Sequence, residues 1–531
     1  MKLTAKEVIE RYNNSYSIKA TWDTEYRKVF EYCMPSRDGY QKAVGPEKVL
    51  PEFQDRREKL FSSVGEQSAN DFVNTMQELL FPPMSNWISI KAASRIPKDK
   101  REQVNEELDK FSFQANEYKN ISSFDLAISE FCFDLFAGTA CLSVLPGTPL
   151  EPLRFKAIPL REYTVEEGPD GVECAVYRKF TMKREFLKQQ WKELKNMKLT
   201  TKEAMNDVEI IEATKYDYDL NVWHYLVVDM AASEILVERE YKTSPFLVLR
   251  WNKMAGEPYG RGPGLTAIND IKTLNLIKMY GLRNFAFNTP PLLVQEDAML
   301  DVDGLELTPW SLNVVPNTQT SIVPLQIQTD HNIESFRTQE LSLDIKRNTY
   351  ASTLPNPGGR ELTATEVRAL QNEMRRSFNS VFGRLLIFQT RLIRRIFDVL
   401  QDVKIISDEF DVMKIDGLMF KVNMITPMKR ILDQGEANAI LGAASTLVGF
   451  DNSGSVLNQY MVLDEMIPNY LELAGVPNKF IRTKEEAQQI QREQAQAQAA
   501  SVQAQTKLDV DAANAKEMGK AAAKAMEKEV V

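Results

Sequence analysis

Histidine is almost missing from this chain of 531 residues, occurring only as His224 and His331. With no His-Glu-x-x-His pair and no serine on a glycine elbow, neither a zinc protease nor a serine triad has its parts. Both histidines read as structural. A Gly-x-x-x-x-Gly-Lys-Ser/Thr loop is also lacking, which excludes a P-loop motor. Gly260, Gly262 and Gly264 surround Arg261 and Pro263, but no phosphate-binding lysine follows, so the stretch reads as a flexible entry to a helix. The four cysteines, Cys33, Cys132, Cys141 and Cys174, have no metal-ligand spacing. They read as reduced, buried thiols of a protein made in cytosol, and no motif calls for a metal or a cofactor.

No apolar run reaches the length of a membrane span, and Met1 to Glu10 has no signal-peptide core. The chain is expected to be soluble, off the membrane and not secreted. Its net charge is -9, from 65 Lys+Arg and 74 Asp+Glu. That balance argues against a protein that coats DNA through a basic patch. By inventory alone it leaves a carboxylate-based hydrolase open, although nothing in the pattern brings two carboxylates together in a cleft.

A second absence is local. From Pro290 to Asp330 there is no lysine or arginine, while Glu296, Asp297, Asp301, Asp303, Glu306 and Asp330 are all acidic. Pro309, Pro316 and Pro324 exclude a long helix there, and the segment reads as a small β-rich excursion. Helical patterns flank it. One runs from about 264 to 288, with Ile268, Ile271, Leu274, Leu282 and Phe285 as its apolar stripe. The other runs from about 331 to 351, with Ile333, Phe336, Leu341 and Ile345 inward and Lys346 and Arg347 outward.

Next comes Leu354-Pro355-Asn356-Pro357-Gly358-Gly359-Arg360, a loop barred from helix by its prolines and loosened by its glycines. Thr363 to Glu366 has capping-box spacing and opens a helix that nothing strongly breaks before about Lys404. On a helical wheel Val367, Leu370, Met374, Phe378, Val381, Leu385, Phe388, Leu392 and Ile396 share one side. Arg368, Arg375, Arg376, Arg384, Arg391, Arg394 and Arg395 fall on the other, with no lysine among them. The bland reading is a solvated basic face. The sharper one is an ion-pair seam between subunits, because guanidinium is weakly hydrated and bidentate.

Elsewhere the chain is mixed. Helices are expected over Ala5 to Tyr32, Asp55 to Leu80, Lys100 to Asn120, Ser123 to Phe136 and Arg184 to Asn196. Strands are expected at Trp87 to Ile90 and Ala140 to Val144, and then in seven short runs between Phe155 and Leu249, with Pro169-Asp170-Gly171 as a hairpin turn. A last strand at Met419 to Ile425 can return to that sheet. A helix pair follows at 429–448 and 456–473. The final fifty residues are Ala, Gln, Lys and Glu, rich in helix propensity and poor in core formers. The fold class is therefore α+β and helix-dominated.

The order Tyr259-Gly260-Arg261-Gly262, helix, compact insert, helix, Pro/Gly loop, then Thr363-Ala364-Thr365-Glu366-Val367 opening a long helix resembles the portal proteins of short-tailed double-stranded DNA bacteriophages. The resemblance extends to Arg56-Arg57-Glu58-Lys59-Leu60-Phe61-Ser62-Ser63, Ala69-Asn70, Leu79-Leu80-Phe81-Pro82-Pro83 and Trp87. It covers nearly the whole chain, although no single motif has the specificity of a metal-ligand signature.

The resemblance implies a ring, typically of twelve subunits, around a channel for DNA at one capsid vertex. It assigns 1–258 to a wing, 259–288 and 331–352 to stem helices, 289–330 to a clip and 353–363 to a tunnel loop. Residues 364–427 become the long helix and return strand, 428–480 a crown, and 481–531 a helical tail or barrel. Pro357, Gly358, Gly359 and Arg360 would face the DNA, and Lys346 and Arg347 would form a second basic ring. Glu296, Asp297, Asp301, Asp303 and Glu306 would dock partners. Arg375, Arg376, Arg384, Arg391, Arg394 and Arg395 would form the seam. Implied partners are double-stranded DNA, the terminase large subunit, a tail adaptor, and the major capsid and scaffolding proteins. No catalytic centre is expected. Another ring-forming adaptor or scaffolding protein is the alternative.

Overall fold

The structure is a computed structural model. It describes residues 3–37, 60–92, 98–148, 150–191, 193–194, 205–288, 292–295, 312–315, 331–351, 364–405, 420–422 and 426–450, together with 466–467, 470–471, 516 and 518. The chain forms two compact units, Met1–Met428 and Lys429–Val531.

In the first unit, α1 (Ala5–Cys33) starts at a full capping box. Thr4 accepts from the Glu7 amide, and the Glu7 carboxylate accepts from the Thr4 amide at 2.9 Å. Its buried residues Val8 and Tyr12 lie on an antiparallel sheet of five strands, β4 (Tyr163–Glu167), β5 (Glu173–Lys183), β6 (Asp207–Asp217), β7 (Val222–Asp229) and β8 (Glu234–Tyr241). Ala175, Tyr177, Ile211, Ala213, Leu226 and Val228 meet α1. Between β4 and β5 the chain turns at Gly171, whose φ of 68° is one that only glycine adopts cheaply.

The opposite face of that sheet carries Tyr225 and Tyr241. Tyr225 meets Phe246 of a second antiparallel sheet, ordered β3 (Leu153–Ile158), β2 (Thr139–Pro146), β9 (Phe246–Arg250). The five-stranded sheet thus has α1 on one face and other core elements on the other. The expected helix over 184–196 is cut short as α5 (Arg184–Gln190), because Trp191 turns extended and donates its indole N–H to Tyr225 at 3.1 Å.

Helices α2 (Val64–Leu80), α3 (Lys98–Ile121) and α4 (Phe124–Ala137) supply the aromatic core. Phe81 meets Trp87, Phe124 and Phe388, and Phe131 stacks on Phe388 at 5.0 Å. Of the helix expected over Asp55 to Leu80, residues 55–59 lie outside the described residues, 60–63 are not helical, and α2 begins at Val64. Residues 61 and 62 instead give their amide hydrogens to Asn275 Oδ1 at 2.7 and 3.2 Å. Of the expected strand at 87–90 only the end is regular: β1 (Ile90–Ala92) pairs antiparallel with β12 (Phe420–Val422). The return strand therefore joins β1 in a sheet of two, not the five-stranded sheet.

From this body rises α6 (Pro263–Asn288), about 39 Å long at 1.5 Å per residue. It packs on α7 (His331–Asn348). The first half of α6 is core, with Ala267, Ile268, Ile271 and Leu274 buried. Leu282, expected inward, is 58% exposed, as Leu276, Tyr280 and Leu343 of α7 also are in large part. Within the intervening segment β10 (Leu292–Gln295) and β11 (Leu312–Val315) pair in parallel, in keeping with a β-containing insert. The long helix α8 (Ala364–Asp402) runs 39 residues and packs on β9, β2 and β3.

The second unit holds most of α9 (Pro427–Phe450). Residues 466–467, 470–471, 516 and 518 are helical.

Candidate functional site

The tunnel loop, the basic pair Lys346 and Arg347, the acidic insert and the arginine row are expected to carry function, and the joint at the root of α6 positions the helix pair that flanks the insert. At the root, Tyr259 to Gly264 is a tight joint and not the flexible entry that its glycines suggested. The Gly260 amide donates to Thr139 Oγ1 at 2.8 Å, and its carbonyl accepts from the Tyr26 hydroxyl at 2.6 Å. Trp251 and Gly262 donate their amides to Gly138 and Ala137. The backbones approach so closely that a Cβ on Gly262 would sit 2.2 Å from the Phe136 carbonyl oxygen, and one on Gly138 2.1 Å from that of Gly260. Glycine is present there for proximity. Tyr259 is fully buried and accepts from the Val165 amide at 3.1 Å, and burial pushes both its phenol and that of Tyr26 well upward.

The arginine row is divided among contacts within the chain. Arg384 donates to the Trp251 and Lys253 carbonyls at 2.8 and 3.1 Å, which clamps α8 to the segment leading into α6. Arg391 pairs with Glu173. Arg395 is fully buried: it donates to the Val144 carbonyl at 3.0 Å and to Asp398 at 2.9 Å, and lies 4.4 Å from the Tyr241 ring. Arg395 therefore has no surface left for a neighbouring subunit, whereas Arg384 and Arg391 spend part of their donors inside the chain and stay half-exposed. The wheel treats α8 as half-solvated along its length. From Leu392 to Leu400, however, Leu392, Ile393, Ile396, Phe397, Val399 and Leu400 are all buried, so polar side chains there must find partners inside. Arg394 is half-buried and also engaged. The side chains of Arg375 and Arg376 lie outside the described residues.

Sequence reading missed the partners of this row. Glu167 accepts from both Arg250 and Lys253, the latter at 2.6 Å, and Glu173 from Arg250 at 3.2 Å as well as Arg391. Only the placement of Glu167 and Glu173 either side of the Pro169-Asp170-Gly171 turn could have hinted at it. Every carboxylate of that cluster is paired with a cation, so none stands ready as a general acid. Asp134 is the carboxyl pushed up to about 7, by burial. It accepts from the Leu160 amide at 3.0 Å, is 9% exposed, and sits near Lys19, whose amine burial lowers to about 8. Neither group opens to a substrate-sized cleft, so the hydrolase alternative gains no constellation from the geometry.

Of the proposed second basic ring, Lys346 is half-buried and Arg347 exposed, 3.9 Å from Asp344. Pro357, Gly358, Gly359 and Arg360 lie outside the described residues, as do Glu296, Asp297, Asp301, Asp303 and Glu306. Among the described residues no group of three or more His, Cys, Asp or Glu could hold a metal, and no helix is long and apolar enough to cross a membrane. All four cysteines are free and buried; burial raises the thiols of Cys33 and Cys132 to about 12.

Comparison with solved structures finds the neck of an empty gene transfer agent (GTA) particle, computed with C6 symmetry. The identity is 10% and the TM-score 0.34, covering 84% of this chain and 98% of that one. The virion of a native GTA particle is similar at 10% identity and TM-score 0.33, over 85% and 99%. Scores this low carry no further argument. No curated protein matches. The sequence profile of the bacteriophage head to tail connecting proteins matches residues 5–481. With that match spanning most of its length, the chain belongs to the family of bacteriophage head-to-tail connecting proteins.

Proposed function

We propose that this connector is a portal subunit: copies close into a ring at one capsid vertex, and double-stranded DNA passes through the central channel during packaging, retention and ejection. The observation that carries the reading is the helix pair α6 and α7. Its root is locked into the body by buried side chains and backbone contacts, while Leu343 near the root of α7 and Leu276, Tyr280 and Leu282 farther along α6 are exposed. Large apolar side chains on a protruding pair call for neighbours, and the same pair from adjacent subunits would cover them.

On this reading the segment between α6 and α7 is the clip, and its acidic residues repel passing phosphates and dock basic surfaces of the terminase large subunit or a tail adaptor. Residues 353–363 are the tunnel loop. Pro357 to Arg360, with Lys346 and Arg347 upstream, make loose contacts with the duplex backbone that are blind to sequence and weakened by salt. Of the arginine row, Arg375, Arg376, Arg384, Arg391 and Arg394 are the candidates for contacts between subunits. Residues 428–480 form the crown, and the alanine-rich tail orders by packing with its copies. The assembled protein resides in the virion, after assembly in host cytoplasm with the major capsid and scaffolding proteins.

End-on electron microscopy of the purified protein, with mass measured in solution on the same sample, tests this. The expected result is a closed ring with a hole wide enough for a DNA duplex. A monomer at high concentration, unchanged by crowder or scaffolding protein, would overturn it.

A further inference from the structure

Two surface depressions lie on opposite sides of the five-stranded sheet. Glu166 and Glu167, consecutive on β4, mark them. Glu166 turns to the α1 side, where it meets Arg11 and the Tyr177 hydroxyl at 2.8 Å each. Glu167 turns the other way, to Arg250 and Lys253.

The depression on the α8 side, 210 Å³ in volume, is lined by Arg250, Lys253, Arg384 and Arg391. Glu167 and Glu173 neutralise two of these four cations. A surplus of two positive charges therefore remains around Ile387, which is 56% exposed. The volume suits one or two side chains better than a free small molecule. On the α1 side the depression carries Glu7, Glu10 and Glu166 against Arg11, with Lys215 acting on Glu7 from β6, and is acidic on balance. Its apolar member is Ile18, also 56% exposed. Glu7, Asn14 and Ile18 follow one another at helical spacing along one face of α1.

We propose that the α1 edge of one copy docks into the α8 groove of the next, with Ile18 against Ile387 and the acidic side chains against the arginines. The occupant is a second copy of this chain, and the proposal rests on the ring reading above. The charge surpluses are opposite in sign, and each surrounds one exposed isoleucine, as a polar rim surrounds an apolar anchor. A ring needs a head-to-tail contact between two different patches on opposite sides of the subunit. Arg384 and Arg391 thus have two uses: they clamp α8 to the body, and their remaining donors face the neighbour.

The test is a charge swap. Glu10→Lys with Asn14→Lys alters the acidic side, at exposed positions. Ile387→Glu removes the apolar anchor and places a carboxylate in the basic groove. Ring formation is followed by sedimentation over a concentration series, with thermal melting to show that each variant folds. Each change alone is expected to raise the concentration for half-assembly at least tenfold, and all three together to restore it to within about threefold.

Where a variant fails to fold, Asn14→Cys with Ile387→Cys and a short bis-maleimide gives a second readout. The native cysteines are buried, so a ladder of crosslinked oligomers is the expected product, and its absence overturns the interface. Rings from the unaltered protein that ignore the single changes, or are not restored by the combination, overturn the interface and leave the ring reading standing. No ring from the unaltered protein overturns both.

Discussion

At the residue scale, buried charge is where this chain departs from a simple hydrophobic core. Arg395 has no solvent, and its charge is held by Asp398, the Val144 carbonyl and the Tyr241 ring. Asp398 in turn accepts from the Thr243 amide and hydroxyl. Arg395→Met should therefore cost about 3–5 kcal/mol, because Asp398 is left buried without its cation. Adding Asp398→Leu should recover part of that loss, and urea melts of the two variants measure it. Asp134 makes a pH prediction. Its folded carboxyl, raised to about 7 by burial, binds a proton more tightly than the unfolded one. Stability must then fall as pH rises from the ordinary carboxylate range towards 7, by up to about 1.4 kcal/mol per pH unit. Lys19, Arg37 and Glu130 act on the same carboxyl. Asp134→Asn keeps an acceptor for the Leu160 amide and removes the titration. The difference between wild-type and variant melts should hence widen between pH 4 and 7, and a constant difference would contradict the burial argument. None of this was legible beforehand: a helical wheel assigns Arg395 to solvent, and Asp134 looks like any surface aspartate until the β3–β4 turn closes over it.

At the element scale much was legible because the local signals are strong. Thr4 and Glu7 cap α1, the Pro169-Asp170-Gly171 turn joins β4 to β5, and the acidic insert between two helices is present as α6, β10, β11 and α7. The misreadings occurred where a distant partner decides. Asn275 captures two amides just ahead of α2, where helix was expected, and Tyr225 draws Trp191 out of α5. Glycine shows the same limit, since Gly262 and Gly383 look alike in sequence. A Cβ on Gly262 meets the Phe136 carbonyl oxygen, whereas one on Gly383, inside α8, meets nothing within 4 Å. Gly262→Ala should destabilise by about 3 kcal/mol through strain at the joint. Gly383→Ala should instead stabilise by up to about 1 kcal/mol through helix propensity. Thermal melts with shifts of the same sign would refute the distinction between packed and open glycine.

At the scale of the whole molecule, an assembly multiplies whatever each subunit carries, so a modest charge pattern in one chain becomes a strong field in a ring. Between Pro290 and Asp330 the chain has six carboxylates and no lysine or arginine. If this segment is the clip, its collar attracts a basic partner over distances that a single copy could not reach. Replacing Glu296, Asp297, Asp301 and Asp303 by their amides should then slow association with the docking partner and flatten its salt dependence. Surface electrostatics fade beyond about 8 Å at 0.15 M ionic strength, so the two proteins should differ most at low salt and converge at high salt. Ring formation, which on the same reading rests on the stem and wing, should be unaffected in the same sample. Docking rates that match the unaltered protein at low and high salt alike would show that the acidic composition serves solubility, and partner recognition would have to be sought elsewhere on the ring.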